Sequence, residues 1–466
     1  MRLARLVDAA RRICAGSGLG RALIALGGGM EPGFGLPPLP NGPTPLALAA
    51  LGSVRAARRS GRLLGSLAAQ AGVDLVMGPR LDLATDPKDG AGAIGGFGED
   101  YGTASDLGGA FAAGLAAAGV EACVGRFPGL GSTCAECYDG MPFISFPAAR
   151  FESCEMRPFA RAARSGAAAT LVGRVLVPAL EPERIPACRS ARIIEGRLRE
   201  SLGFRGLVIG EGYELDPDPG KTAVLSVLAG CDLCLVARSE VALAVAAALD
   251  AADAKGELPA VRTEVARRRL DSLLDRSRRR SDAGAASEPR LRETIKAERD
   301  IERAFTVLRG SLALGRAGED FSGSLVLVFL PPAGSADAPE SEAALAALRA
   351  ALPGASFAAL PAEPRPEDAE VLSTILSDGN GASALPFSGF SRAAILTYDA
   401  HFRPAQEGLA RLVEESVPRV VVVAVRDPYD AAFFPRAAGL GAAFGFSEAS
   451  FKAIGRLLRG ASRGAP

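Results

Sequence analysis

The sequence predicts an α/β protein built on parallel sheets, and three observations carry that expectation. Short apolar runs of strand length alternate with segments of helical period over residues 20–275. A second alternation of the same kind resumes beyond a polar stretch that begins near residue 276. Residues 202–215, LGFRGLVIGEGYEL, contain an apolar run at 206–209 that stops abruptly at Gly210-Glu211-Gly212. A buried parallel strand that delivers a carboxylate to an open rim has this form, because a strand covered on both faces is apolar throughout. A Pro-rich loop and an amphipathic helix in residues 177–202 precede it, so strand, helix and strand follow in βαβ order.

The remaining elements follow along the chain. Residues 1–20 read as a helix with a polar face, and residues 22–26 (ALIAL) as a short strand ending in Gly27. Residues 44–65 have the period of one long helix, and residues 73–83 (VDLVMGPRLDL) form a strand that runs out into a loop. A helix at 101–119, a strand at 121–124, a helix ending at 159–166 and a strand at 170–172 lead up to residues 202–215. A strand at 229–236 and a helix at 241–250 follow them.

Residues 276–289 are polar and rich in Ala, Gly and Ser, and 290–309 read as one charged helix. The expected domains are therefore 1–275, a helical connector at 276–318, and a smaller α/β domain at 319–466. Within the last, strands are expected at 325–330, 393–398 and 419–425, with helices at 340–352 and 406–415.

Composition narrows the function classes. The 466 residues are 48% apolar, enough for two cored domains, and 53 basic residues balance 53 acidic ones. No overall field draws the chain to nucleic acid or to an anionic membrane, and neither is an expected partner. The basic run at 267–280 belongs to a helix whose inward stripe is Val261, Val265, Leu270, Leu273 and Leu274, leaving charge outside. The first 18 residues alternate apolar residues with arginine, unlike a secretory signal or a spanning helix, so a cytoplasmic location and reduced thiols are expected for the eight cysteines. Cys231 and Cys234 sit three apart on a strand and face opposite ways, which does not suit a shared metal; Cys134 and Cys137, in a loop, are read as inert thiols. Gly90-x-Gly92-x-x-Gly95 follows a polar loop rather than a strand and is not read as a nucleotide site. No cofactor or metal is expected.

The stretch VPAL-x-PER-x-PA-x-RSARII-x-x-x-LRE-x-LGF-x-GLVI closely resembles the barrel domain of glycoside hydrolase family 3, particularly its β-N-acetylhexosaminidase branch. The resemblance selects a TIM-like (β/α) barrel over an open sheet and places a smaller C-terminal α/β domain after it, where VVVVAVRDPYDAAFFP (420–435) also resembles the family's second domain. It extends over most of the chain and is weakest at 331–380. In that family the strand ends in an Asp that acts as nucleophile; Glu211 stands there.

GRFPGLGSTCAECYDGMP (125–142) looks like the family loop Lys-His-Phe-Pro-Gly-His-Gly-Asp-Thr, whose Lys-His pair grips the sugar, followed by Asp-Ser-His with the His as acid/base. Here Gly125-Arg126 replaces Lys-His, Leu130 and Ser132 replace the His and Asp of the turn, and Glu136-Cys137-Tyr138 replaces Asp-Ser-His, while Phe127, Pro128, Gly129 and Gly131 remain. The family's first-strand Asp is missing near Gly27, its sugar-binding Arg is Gly95 ahead of Phe97, and the His that opens its Pro-Ala-Leu stretch is Arg174. The resemblance thus makes Glu211 and Glu136 candidate catalytic carboxylates and Arg126 and Arg174 candidate substrate contacts; with no tryptophan in the chain, Phe97, Phe127, Tyr138 and Tyr213 are the candidates for smaller sugar-stacking platforms.

The extra methylene of Glu211 displaces its oxygen from the place of an Asp carboxylate by roughly 1 Å, a shift that costs about a hundredfold in rate. The expectation is a divergent homologue with weak or lost hydrolysis and a residual pocket for an N-acetylglucosamine-containing saccharide, a cell-wall fragment or an anion. The alternatives are an active retaining N-acetylglucosaminidase using Glu211 and Glu136, and a non-catalytic scaffold for protein association. An arginine paired with Glu211 would make the rim a structural salt bridge. His401, the only histidine, lies in the second domain and reads as a surface or capping residue.

Overall fold

The computed structural model describes residues 2–16, 22–27, 42–86, 94–131, 133, 141–280, 291–315, 319–335, 337–368 and 389–460. Glu136, Tyr138, Ser132, Cys134 and Cys137 lie outside them. The chain divides into two units, Met1–Glu31 with Gly52–Thr294, and Pro32–Leu51 with Ile295–Pro466.

In the first unit, strands β1 (Ala25–Leu26), β2 (Leu75–Arg80), β3 (Glu121–Phe127), β4 (Ala169–Val172), β5 (Leu207–Gly210) and β6 (Leu233–Cys234) pair in chain order. All five pairings are parallel. Parallel neighbours taken in sequence are the topology of a (β/α) barrel. Among the described residues β6 does not return to β1, so the TIM-like sheet is a curled half-barrel of six strands.

Both faces of this sheet are covered, which explains why its strands lack polar alternation. Val124, Val172 and Val208 point to one side, against Phe159, Ile194 and Leu198 of the outer helices. Leu75, Met77, Leu171, Leu207 and Ile209 point to the other, where they meet Leu270 and Leu273. Those two leucines belong to helix Ala260–Arg280. Its apolar stripe thus lies over the face that a closed barrel would fill with its own strand side chains. Val261, expected in the stripe, is instead 72% exposed at the helix start. Among the described residues no helix is long and apolar enough to cross a membrane.

Helices Val54–Gln70 and Tyr101–Ala117 cross at glycines. A Cβ on Gly61 would stand 2.1 Å from the Phe111 carbonyl oxygen, and one on Gly114 would stand 2.2 Å from that of Arg58. Both neighbours are backbone and cannot swing aside. Gly61→Ala or Gly114→Ala is expected to destabilise the protein by about 1–3 kcal/mol despite alanine's better helix propensity. Gly109→Ala, on the same helix but with its nearest neighbour at 3.9 Å, is expected to be neutral or stabilising by up to about 1 kcal/mol. Urea unfolding of the three variants checks the contrast, and equal effects at all three would refute the close approach.

In the second unit, β7 (Thr306–Gly310), β8 (Ser324–Leu330), β9 (Ser356–Pro361), β10 (Arg392–Thr397), β11 (Arg419–Ala424) and β12 (Gly439–Ala442) form a sheet in the order β7-β12-β11-β10-β8-β9. Only the β7–β12 pairing is antiparallel. The region 276–318 is therefore more than a connector, because β7 inside it is an edge strand of this sheet. The expected single helix at 44–65 is two, Pro45–Leu51 and Val54–Gln70. Gly52 at φ +62° breaks it, and the Ser53 side chain caps the second helix by accepting the Ala56 N–H at 3.2 Å. The first helix packs in the second unit, where Ala47 meets Ala304, Ala442 and Phe444, and the Thr44 hydroxyl donates to the Phe444 carbonyl at 2.6 Å.

Candidate active site

Because β2 to β5 are parallel, their carboxyl ends lie along one edge, and the residues that follow them meet there. Asp82 follows β2, Arg126 is the penultimate residue of β3, Arg174 follows β4 and Glu211 follows β5 directly. Arg126 Nε stands 2.7 Å from Glu211 Oε1, with side-chain exposures of 24% and 18%, so this pair is the part of the cluster that solvent reaches.

The pair rests on a buried base. Asp82, wholly enclosed, accepts the Arg126 backbone N–H on Oδ1 and Arg80 Nε at 2.8 Å on Oδ2. The Leu81 N–H donates to the Gly125 carbonyl at 2.7 Å, and the Gly173 N–H to that of Phe127 at 3.0 Å, which ties the three strand ends together. Arg174 takes a different partner: Nη2 donates to Asp216 Oδ1 at 3.0 Å and to the Leu215 carbonyl at 3.3 Å. Its aliphatic stem lies against Gly212 at φ +84°, where a Cβ would come within 2.8 Å of Cδ. Glycine is required there on both counts.

Three carboxyls in this cluster are shifted toward the protonated form. Burial raises the Glu211 pKa; Arg126 opposes the rise and the charge of Asp82 adds to it. Burial likewise raises Asp82 against the pull of Arg80 and Arg126. Glu155, from the segment after the Gly-rich turn, is raised by burial, opposed by Arg150 at 3.3 Å and reinforced by Asp82. Raised carboxyl pKa values suit proton donation more than nucleophilic attack, which needs the ionised form.

Two of the aromatic candidates are placed elsewhere than expected. Phe127 is fully buried and packs edge-on against Phe159 with ring centroids 5.3 Å apart, because the outward positions at the end of β3 point into the helix layer. Tyr213 is also fully buried, its hydroxyl 2.8 Å from Ser226 Oγ. Phe97 is 1% exposed. None of these rings presents a face to a ligand. Cys231 is a buried thiol directed at the Cys188 carbonyl, and among the described residues no group of three or more His, Cys, Asp or Glu is arranged to hold a metal ion. Helix Tyr101–Ala117 opens at Asp100, five residues beyond Gly95, not at the glycine pattern.

His401 is not on the surface. Its side chain is 5% exposed inside the second unit, with Nδ1 2.6 Å from Asp430 Oδ1 and Nε2 3.7 Å from Asp427 Oδ2. Arg80, Asp82, Glu155 and Asp216 are the site residues that sequence reasoning did not single out. The signal for Asp82 was an acid set between leucines just past a strand, in PRLDL.

A parallel β/α sheet with a carboxylate and cations gathered at its strand carboxyl ends has the layout of (β/α)-barrel proteins, whose sites form at that edge. The family model described as the glycosyl hydrolase family 3 N terminal domain matches residues 33–273, and the chain belongs to that family. It is 32% identical over 185 residues to a β-hexosaminidase of Xylella fastidiosa, covering 38% of this chain and 53% of that protein. It is also 32% identical over 197 residues to a β-hexosaminidase of Bordetella pertussis, covering 41% of this chain and 55% of that one. The chain thus spans about half the length of the curated relatives it matches. A family 3 β-N-acetylglucosaminidase structure from Paenibacillus sp. FPU-7 superposes with a TM-score of 0.86 at 26% identity, over 98% of this chain and 88% of that one.

Proposed function

We propose that the chain is a divergent β-hexosaminidase-like protein whose O-glycosyl hydrolysis is weak or lost, and whose rim retains a subsite for a neutral saccharide containing N-acetylglucosamine. The Arg126–Glu211 ion pair carries this reading. A retaining hydrolase needs a free carboxylate oxygen for attack and a second proton carrier about 5 Å away. Glu211 holds Arg126 through Oε1 at 2.7 Å, and this charge-assisted contact stabilises the carboxylate in the ground state and so lowers its nucleophilicity. Arg126 and Arg174 each face a carboxylate, so neither supplies the uncompensated charge that an anionic ligand would require, and a polar, uncharged sugar is the better fit. The β-hexosaminidase relatives and the N-acetylglucosaminidase neighbour support the choice of sugar.

A fluorogenic N-acetylglucosaminide separates the readings. Turnover of the purified protein is expected to be at or near the uncatalysed rate and unchanged by Glu211→Gln, while N-acetylglucosamine or its β-1,4 disaccharide raises the melting temperature. Robust turnover that Glu211→Gln abolishes would overturn the proposal in favour of an active enzyme with Glu211 as nucleophile and Glu136 as acid. No turnover together with no saccharide-induced shift would favour a scaffold.

A further inference from the structure

The opposite edge of the same sheet carries a second constellation. Ala167 and Gly206 immediately precede β4 and β5, so they mark the strand amino ends, roughly 15 Å from Glu211 at about 3.3 Å per residue. There a groove of about 510 Å³ runs between these ends and helix Ala260–Arg280, and its polar lining is Arg205, Arg268, Arg269, Ser272 and Arg276, with no acidic side chain.

The guanidinium groups around this groove are incompletely compensated. Asp232 alone answers three of them, Arg199 at 2.8 Å, Arg262 at 2.8 Å and Arg269 at 2.9 Å. Among the described residues the ion-pair partner of Arg276 is Glu121 at 3.8 Å, beyond hydrogen-bond distance, and its buried Nε has no hydrogen-bond partner. Arg268 and Glu264 stand 2.9 Å apart but are 73% and 47% exposed, so solvent screens that pair and a ligand can displace it, unlike the enclosed pairs at the opposite edge; among the described residues Arg205 has no ion pair. Two or more positive charges therefore converge on one concave site in a chain whose net charge is zero. The crowding also bears on Arg199, whose pKa is pushed down to about 10 by burial, with the charge of Arg269 contributing.

We propose that this groove binds a small phosphorylated ligand, its phosphate oxygens held by Arg205, Arg268, Arg269 and Arg276 and by the Ser272 hydroxyl. Planar guanidinium groups present paired donors that match phosphate oxygens, and the volume suits a phosphate ester larger than the free ion. The site is independent of Glu211, so its existence does not depend on whether the opposite edge hydrolyses or binds sugar.

The test uses inorganic pyrophosphate and inorganic phosphate as probes, at constant ionic strength set with potassium chloride, read by calorimetry and by melting temperature. Saturable binding of pyrophosphate, tighter than that of phosphate, is expected. The double variant Arg205→Gln, Arg268→Gln is expected to weaken it about a hundredfold, since it removes two charged hydrogen-bond donors. Arg267→Gln, on the same helix but outside the groove, removes equal charge per site and is expected to leave binding unchanged. Absence of saturable binding, or equal weakening by Arg267→Gln, overturns the proposal. Both sets of substitutions are at exposed positions, and an unchanged melting temperature without ligand confirms that the variants fold.

Discussion

Asp232→Ala is expected to lower the unfolding free energy by about 3–5 kcal/mol, enough to threaten folding of the first unit altogether. The side chain is wholly enclosed at the start of β6, and each of its oxygens has two donors. Oδ2 accepts Arg199 Nη2 at 2.8 Å and the Val208 N–H of β5 at 2.9 Å; Oδ1 accepts Arg262 Nη2 at 2.8 Å and Arg269 Nη1 at 2.9 Å. One residue thereby fixes the β5–β6 register and fastens helix Ala260–Arg280 over the open sheet. Its removal leaves Arg199, 4% exposed, as a buried cation without its carboxylate partner. Removing a partner from such a pair costs more than the pair contributes, because the remaining charge cannot regain its hydration. Arg269→Gln, whose side chain is 23% exposed, is expected to cost less than 1 kcal/mol, since the other two guanidiniums still neutralise Asp232. Urea unfolding compares the two, and an Asp232→Ala variant within 1 kcal/mol of the parent would show that the three arginines are solvated after all.

His401→Ala is expected to destabilise the protein by about 3 kcal/mol at pH values just below 6.5, and by less as pH rises through the raised pKa of the folded imidazole. The imidazole stands between Asp430, wholly buried, and Asp427, 7% exposed, in the loops that follow β10 and β11. Asp399, itself paired with Arg426, faces the same cluster. Burial acts to lower the His401 pKa, but the hydrogen bond its imidazole donates to Asp430 and the charges of Asp427, Asp430 and Asp399 outweigh it and move it above the ordinary 6.5. Burial also pushes Asp427 up, to about 6. Both shifts mean that the folded protein holds protons which the unfolded chain releases. The His401 contribution is complete below pH 6.5 and is lost as pH rises through the folded value, and Asp427 has the same sign between 3.8 and about 6. Stability should therefore fall as pH rises from about 4 to above 6.5, and His401→Ala should flatten the upper part of that slope. Because the chain has one histidine, its imidazole resonance is unique, and an NMR titration midpoint below 6.5 would contradict this account.

The fold was legible where burial on both faces leaves a continuous apolar run, as in LVLVFL at β8 and VVVVA at β11. It was less legible at β12, Gly439–Ala442, whose composition GLGA reads as a loop although all four residues are buried. The glycines there are demanded by a neighbouring segment, since a Cβ on Gly439 would stand 2.3 Å from the Ser311 carbonyl oxygen. The same limit applied to Phe127 and Tyr213. Their types suggested sugar platforms, but which side of the backbone a ring takes depends on the helix layer behind it.

The sequence alone determined the parallel β/α order and the family, because these follow from residue type and order along the chain. Only the tertiary structure decided that Arg126 closes on Glu211 while Arg174 turns to Asp216. Likewise, only it showed Leu270 and Leu273 of helix Ala260–Arg280 covering a face of the six-stranded half-barrel. Partner choice among several arginines and several carboxylates is set by distances of a few ångströms between residues tens of positions apart, and local sequence holds no record of those distances.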